Sequence, residues 1–370
     1  MKILYVSELS GMGGGETSLL GIMTHISARA EVSLLCREEG ELPRLSRQNG
    51  ISVYIENYRR KKEIFRCIAW LRDFFRRHSF DAIHANDITS AALIGLSVTA
   101  LRRKPEIYCT CHIQFERVSF FKRVLLHRVA CIFCVSGAVL NNLKKQKIPN
   151  LQLCHLGVDS ARFHDRPAGR IRRELQLAPD RLIISTIARY QVIKGQLKAV
   201  RAMETVIAEH PEVVYLLAGG CIFGNPEDRE YEENVRRYIV GHGLQKHIFM
   251  LGERRDIPEI LRDTRLLLIP SDNESFGMAA VEAIESGVDI VSTPCDGTVE
   301  TLEHDRDMLC AGNTSQALAD QVLRYLNSPE MQARVHRHVL SLQGKYTLGK
   351  TSEAYYNTYI CHQTAGAVTL

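Results

Sequence analysis

Two carboxylates, two cations and a run of glycines stand at spacings that suit one kind of chemistry. Glu274 and Glu282 lie eight residues apart in Ser271-Asp-Asn-Glu-Ser-Phe-Gly-Met-Ala-Ala-Val-Glu-Ala-Ile-Glu-Ser-Gly287. An apolar run ends at Pro270, a polar loop carries Glu274, and Ser275-Phe-Gly277 opens a helix kept slim by Ala279, Ala280, Ala283 and Gly287. Carboxylates near a helix start can point into one cleft, where they accept hydrogen bonds from sugar or ribose hydroxyls. Glu285 on the same helix reads as a solvent-facing carboxylate. Arg189-Tyr-Gln-Val-Ile-Lys-Gly195 sets two cations five residues apart between a strand and a helix. A guanidinium fork, an ammonium and a positive helix end together complement a diphosphate. Gly11-Met-Gly-Gly-Gly-Glu16 follows the first strand, where glycines allow a tight turn and close approach of a ligand to backbone amides. Glu16 stands where a dinucleotide-binding G-x-G-x-x-G would have its third glycine, so that fingerprint is incomplete. Taken alone, this loop reads equally as a tight strand-to-helix connection, and the two cations as a surface pair.

The elements that must position these residues alternate. Ile3–Val6, Glu31–Cys36, Ser52–Ile55, Ala82–Ala85, Ile107–Cys111 and Ile132–Val135 read as strands, with helices such as Thr17–Ser27, Glu63–His78 and Ser119–Val129 between them. After a Pro/Gly break at Phe163-His-Asp-Arg-Pro-Ala-Gly169 the rhythm restarts. Leu182–Ala188, Val213–Ala218, His247–Leu251, Leu266–Ile269 and Asp289–Ser292 form a second set of strands, with helices at Gln196–Glu209, Glu230–Gly241, Phe276–Ser286 and Ser315–Asn327. This is the pattern of parallel sheets covered by helices. Ligands in such sheets bind beyond the carboxyl ends of the strands, so the expectation is a cleft between two α/β units.

Composition narrows the partners. At 370 residues, 45% hydrophobic and 24% charged, the chain is an ordinary two-domain globular sequence. Met1–Val6 runs at once into polar residues and glycines, as a first strand does and a signal peptide does not. Eleven scattered cysteines read as buried thiols in a reducing, cytoplasmic setting. Cys109-x-Cys111 and Cys131-x-x-Cys134 fall in apolar strand-like runs rather than forming a zinc site. The net charge of +5 hides an asymmetry: residues 1–150 carry 23 Lys/Arg against 13 Asp/Glu. That net of +10 reads equally as solvated helix faces or as an anionic partner for the first half, a membrane surface or a phosphorylated acceptor. Nucleic acid is excluded as a partner, since no finger, homeodomain or RNP-like pattern is present.

The segment around Glu274 and Glu282 resembles the family-4 glycosyltransferases, retaining enzymes of the GT-B fold marked by Glu-x7-Glu. Gly14-Gly15-Glu16 resembles the family's N-terminal glycine loop, Cys111-His112 its strand ending in His, and Leu156-Gly-Val-Asp159 with Phe163 its G-V-D-x-x-x-F landmark. Arg189 with Lys194-Gly195 resembles its R…K-G, and Ala218-Gly219-Gly220 its A-G-x-G. The resemblance implies two Rossmann-like domains facing across a deep cleft: residues 1–165 on the acceptor side, 166–345 holding the nucleotide sugar, and a C-terminal helix in 346–370 crossing back to the first domain. Arg189 and Lys194 would hold the donor diphosphate, Glu274 the sugar hydroxyls and Glu282 the ribose. The amides of Phe276, Gly277 and Met278, beside Ser275, would orient sugar and phosphate. Gly14, Gly15 and Glu16 would close on the phosphate, with Gly219 and Arg254 completing the donor site. His112 would line the reaction centre.

Implied with these roles is a retaining, metal-independent hexosyl transfer with no cofactor beyond the nucleotide-sugar co-substrate, UDP-sugar being favoured over GDP-sugar. The formal D-x-D at Asp305-Arg-Asp307 lies past the site helix and is set aside as a metal site. The acceptor would be an envelope glycan, a glycolipid or a small molecule. A nucleotide-sugar 2-epimerase and a non-catalytic binder are the other readings. Residues 59–77 carry eight Lys/Arg together with Ile64, Phe65, Ile68, Trp70, Leu71, Phe74 and Phe75. That helix could lie peripherally on the inner face of an anionic membrane. A helix merely packed on the sheet is the competing reading.

Overall fold

The computed structural model describes residues 1–56, 64–102, 104–164, 167–221 and 224–367. They form two compact units, Met1–Gly157 with Thr347–Leu370, and Val158–Tyr346. The sequence reading places the division at 165/166, whereas the units part at 157/158.

The first unit is a seven-stranded parallel sheet: β1 (Lys2–Ser7), β2 (Glu31–Cys36), β3 (Ser52–Ile55), β4 (Ala82–Ala85), β5 (Glu106–Cys111), β6 (Cys131–Cys134) and β7 (Leu151–Leu153). Its order is β3-β2-β1-β4-β5-β6-β7, the doubly wound arrangement. Right-handed crossovers put the helix Gly14–Ile26 on one face and the helices Ile64–Arg77, Ile88–Ser97 and Phe120–Leu126 on the other. Covered on both sides, the central strands are buried along nearly their whole length, as in Ile3–Ser7 of β1. Of the apolar residues named in 64–77, Leu71, Phe74 and Phe75 are buried and so are not available to a membrane surface. Arg59, Arg60, Lys61 and Lys62 lie outside the described residues.

The second unit repeats the theme with β8 (Leu182–Ile187), β9 (Val213–Ala218), β10 (Ile248–Gly252), β11 (Leu266–Ile269) and β12 (Asp289–Ser292), ordered β10-β9-β8-β11-β12 and all parallel.

The C-terminal helix Leu348–Ala367 packs on the helix Gly14–Ile26 and sends Tyr355 and Tyr359 into the first unit's core. Tyr355 stacks on Phe133 at 4.1 Å and its hydroxyl meets Thr110 Oγ1 at 2.8 Å. The Tyr359 hydroxyl and His84 Nδ1 share a hydrogen bond of 2.7 Å, and His84 Nε2 and Thr110 Oγ1 share one of 2.8 Å. Complete burial disfavours the charged imidazole and pushes its pKa down to about 3. The sign follows by linkage. The unfolded chain takes up a proton at His84 below about pH 6.5 and the native state does not, so stability falls as pH drops from about 6.5 towards 3. Urea melts at pH 7 and pH 5 should show a smaller acid loss in His84→Gln, by roughly 1–2 kcal/mol. Equal acid losses would mean that His84 is not the titrating group.

Candidate active site

Because β8 to β12 are parallel, the loops leaving their C-terminal ends share one edge. After β8 the chain passes half-buried Arg189 and the turn Val192–Lys194. Gly195, at φ +70°, then starts the helix Gln196–Glu209. That φ alone favours glycine, and space enforces it: a Cβ here would overlap the Pro270 carbonyl. The close approach brings Lys194 beside the loop that follows β11. Lys194 Nζ donates to Glu274 Oε1 at 2.7 Å, Ser271 Oγ donates to the same oxygen at 2.8 Å, and both members of the ion pair are largely shielded from solvent. The Asp272 N–H donates to Ile193 O at 2.7 Å, a second tie between the two loops.

The Glu274 loop is held from behind by the helix Asp296–Thr301. The Gly297 N–H donates to Glu274 O at 2.9 Å, and Thr301 Oγ1 donates to Phe276 O at 2.7 Å. Gly277, at φ +90°, precedes the helix Met278–Ser286, which begins two residues later than Phe276, where the sequence reading starts it. The amides of Phe276, Gly277 and Met278 therefore stand at a positive helix end, with Ser275 half-buried beside them. Arg189 O accepts from Gln196 Nε2 at 2.7 Å, and Gly219 lies so close to Ala188 that a Cβ would overlap its carbonyl. Glu282, in the second turn, is only half-covered by accessible surface, yet it lies deep enough among protein atoms that burial pushes its carboxyl up to about 7, against the pull of Arg162.

Glu285 departs from the sequence reading, and Arg254 and Glu16 have partners that it did not name. Glu285 is fully buried, not solvent-facing: its Oε1 accepts from the Gly344 N–H at 2.8 Å and His164 Nε2 lies 3.7 Å from Oε2. Arg254 is engaged away from the Lys194–Glu274 group. Its guanidinium donates to Glu174 at 2.5 and 2.8 Å and to Asp256 at 2.8 and 2.7 Å, which ties the loop after β10 to the helix Arg170–Glu174. Glu16, buried, turns Oε2 back to the Gly13 N–H at 3.1 Å, capping its own helix.

In the first unit the helix begins at Gly14 rather than Thr17, so Gly14 and Gly15 form its first turn. The His112 ring, at the end of β5, faces Gly15, whose Cβ position would lie 3.4 Å from the ring. Burial pushes the imidazole down to about 4, opposed by the Asp87 carboxylate. His112 Nε2–H donates to Asn86 Oδ1 at 2.9 Å. Asn86 was not singled out from sequence; the signal was available, since Asn86-Asp87 directly follows β4 and Asp87 caps the next helix through Thr89 N–H and Ser90 N–H. Ser271 likewise emerges only from its contacts.

Asp305 accepts from the amides of Asp307 and Met308, and Asp307 pairs with Arg334 at 2.7 Å. Among the described residues no group of three or more His, Cys, Asp or Glu could hold a metal. Cys111 and Cys134, register neighbours on β5 and β6, are buried free thiols, and burial pushes Cys111 up to about 12.

This geometry agrees with what the chain resembles across both units. The family model "Glycosyltransferase Family 4" matches residues 12–162, and "Glycosyl transferases group 1" matches residues 168–339. The chain has the GT-B fold, and each of its two halves matches a glycosyltransferase family model. Its solved neighbours share the fold: Anabaena HepE in complex with UDP and glucose (TM-score 0.83, 20% identity, 97% of this chain and 99% of that one). Sucrose-phosphate synthase of Thermosynechococcus elongatus follows at TM-score 0.76, 17% identity, with 99% and 100% covered. Curated relatives include the lipopolysaccharide core mannosyltransferase LpcC of Rhizobium leguminosarum bv. viciae, 24% identical over 69% of this chain and 70% of that protein. The N-acetyl-alpha-D-glucosaminyl L-malate synthase of Bacillus anthracis is 22% identical over 54% of this chain and 51% of that protein. The chain spans about half the length of most such relatives, LpcC being an exception.

Proposed function

We propose that this GT-B protein transfers a sugar from a nucleotide-diphosphate donor, UDP-sugar ahead of GDP-sugar, to an acceptor hydroxyl with retention of configuration and without an obligatory metal. The observation that carries the reading is the shielded Lys194–Glu274 pair at 2.7 Å beside the positive end of the helix Met278–Ser286. As the anomeric bond breaks, charge grows on the departing phosphate. An ammonium, the Arg189 guanidinium and the Phe276–Met278 amides aimed there would stabilise that charge most in the transition state. Donor binding would draw Lys194 from Glu274 to phosphate and free the carboxylate for sugar hydroxyls. Departure of the diphosphate on the face that the acceptor attacks would let its oxygen take the acceptor proton. His112, neutral at physiological pH, would meet the sugar as a hydrogen-bonding group held by Asn86. The relatives support a glycan or lipid-linked acceptor through LpcC. The +10 charge of residues 1–150 equally suits a small anionic acceptor, the second reading. Eleven unpaired cysteines suit the reducing cytoplasm.

The test is to incubate the full chain with UDP- and GDP-sugars in excess chelator and to follow nucleoside diphosphate release and thermal shift. A UDP-sugar should raise the melting temperature and be slowly hydrolysed. An epimer as the product, binding without turnover, or no shift with any nucleotide sugar would each reject transfer. The same assay reads Glu282. A carboxylate accepts ribose hydroxyls better than a neutral acid, so donor affinity should fall as pH drops below about 7. The fall should approach tenfold per unit, because the proton must leave before the donor binds. Glu282→Gln should flatten that profile; an unchanged profile would remove Glu282 from the donor site.

A further inference from the structure

The connection between His112 and β6 carries a surface that the sugar-transfer chemistry does not use. The helix Phe120–Leu126 buries Leu125 and Leu126 and packs against the helix Ile88–Ser97, but Phe120 is 73% exposed, Phe121 62% and Val124 49%. Ile113, the residue after His112, is 53% exposed. The helix Ile64–Arg77 packs against Ile88–Ser97 as well and exposes Phe65 at 84%. Adjacent exposed aromatics such as Phe120 and Phe121 mark a site of interaction. The helix Phe120–Leu126 follows β5, whose carboxyl end also carries His112. From Ile113 to Val124 the charged residues are Arg117, Lys122 and Arg123 against Glu116 alone. The Arg123 guanidinium lies over the Phe120 ring at 5.7 Å, so a cation and an exposed aromatic share this face, and Lys122 Nζ reaches Thr89 Oγ1 at 3.1 Å beside it in sequence.

We propose that Ile113, Phe120, Phe121 and Val124, with Arg117 and Lys122, dock the chain on an anionic lipid bilayer. Charge selects this occupant over a second copy of the chain, because a two-fold interface would set this basic face against itself. An anionic headgroup layer receives the cations while the rings and Val124 enter the acyl boundary. Docked there, the His112 edge of the first unit faces the membrane, where a lipid-linked acceptor hydroxyl would be presented. That last consequence rests on the proposed transfer reaction, whereas the docking itself does not.

Flotation of the full chain with phosphatidylglycerol/phosphatidylcholine vesicles tests the surface. Binding is expected at low salt and should weaken at high salt as charges are screened. Phe120→Ser/Phe121→Ser should lower partitioning at least about tenfold with an unchanged circular dichroism spectrum. Arg117→Glu/Lys122→Gln should remove the salt-sensitive part. Val240→Ser, an exposed apolar residue of the other unit, should change nothing. No flotation at low salt, equal flotation of the double serine variant, or equal binding to pure phosphatidylcholine would overturn the proposal. So would a concentration-dependent dimer that the serine variant abolishes. Thermal shift with a UDP-sugar, run on the same variants without vesicles, keeps the two readings apart: lost flotation with retained shift concerns this surface only.

Discussion

Lys194→Ala is expected to lower turnover by about 10²–10³-fold, the usual cost of removing one group aimed at developing charge, while the protein stays folded. The reason lies in where the charge stands. Lys194 is held by the close packing of Gly195 on Pro270, so its ammonium is placed by backbone contact rather than by its own flexible stem. It sits in a largely shielded pair with Glu274, where electrostatic terms exceed those of an exposed ion pair. Truncation also removes the ammonium from Glu274 Oε1 and leaves it the Ser271 hydroxyl, so part of the loss will come from a misdirected carboxylate. The Lys194→Ala/Glu274→Gln double variant separates the two effects: a loss no larger than that of the single change would show that the pair acts as a unit. Arg189→Ala should fall in the same range. Initial rates alongside circular dichroism decide it, and near-normal rates in both single variants would sink the diphosphate assignment.

Gly297→Ala should have the second-largest effect, and its direction is opposite to what helix propensity alone would suggest. Gly297 lies in the helix Asp296–Thr301, where alanine is ordinarily better by about 1 kcal/mol. Its added methyl would, however, lie 2.5 Å from Glu274 O and 2.6 Å from the carbonyl carbon of Ser275. These are backbone atoms and cannot rotate away, so the Glu274 loop must shift and overpacking should cost about 1–3 kcal/mol. The Gly297 N–H···O bond to Glu274 lengthens with it. Displacing the site by about 1 Å costs on the order of 10²-fold in rate. Denaturant melts and kcat against KM provide the check. A variant with unimpaired stability and turnover would show that the loop accommodates the methyl and that the contact does not position Glu274.

Much of this site was legible before any coordinates. The pairing of Glu274 with Lys194 could be anticipated in kind, because each residue follows a strand and precedes a helix in a parallel sheet, and parallel sheets gather such loops at one edge. Eleven of the twelve strands were read from short apolar, β-branched runs. The one passed over, β7, has three residues, Leu151–Leu153, too few for any period to show. The helix Gly14–Ile26 was started late because consecutive glycines argue against helix, whereas here they form its first turn, capped by Glu16.

The side-chain partners were decided by tertiary structure. Arg254 and Lys194 are both cations after a strand in the same sheet, yet one is engaged by Glu174 and Asp256 and the other meets Glu274, a distinction set by contacts eighty residues distant in sequence. Glu285 occupies a helix position that suits solvent, but the returning chain at Gly344 covers it and supplies an N–H. Asp289 opens β12 as a buried carboxylate because Tyr325 and His336 come to it from later helices, at 2.5 and 2.9 Å. The sequence by itself determined the α/β class, the two-unit rhythm, the family resemblance and the residue types at the strand ends, since these depend on local periodicity and spacing. Only the tertiary structure decided which of those charges are spent on one another, because burial and partnership arise when distant segments pack together.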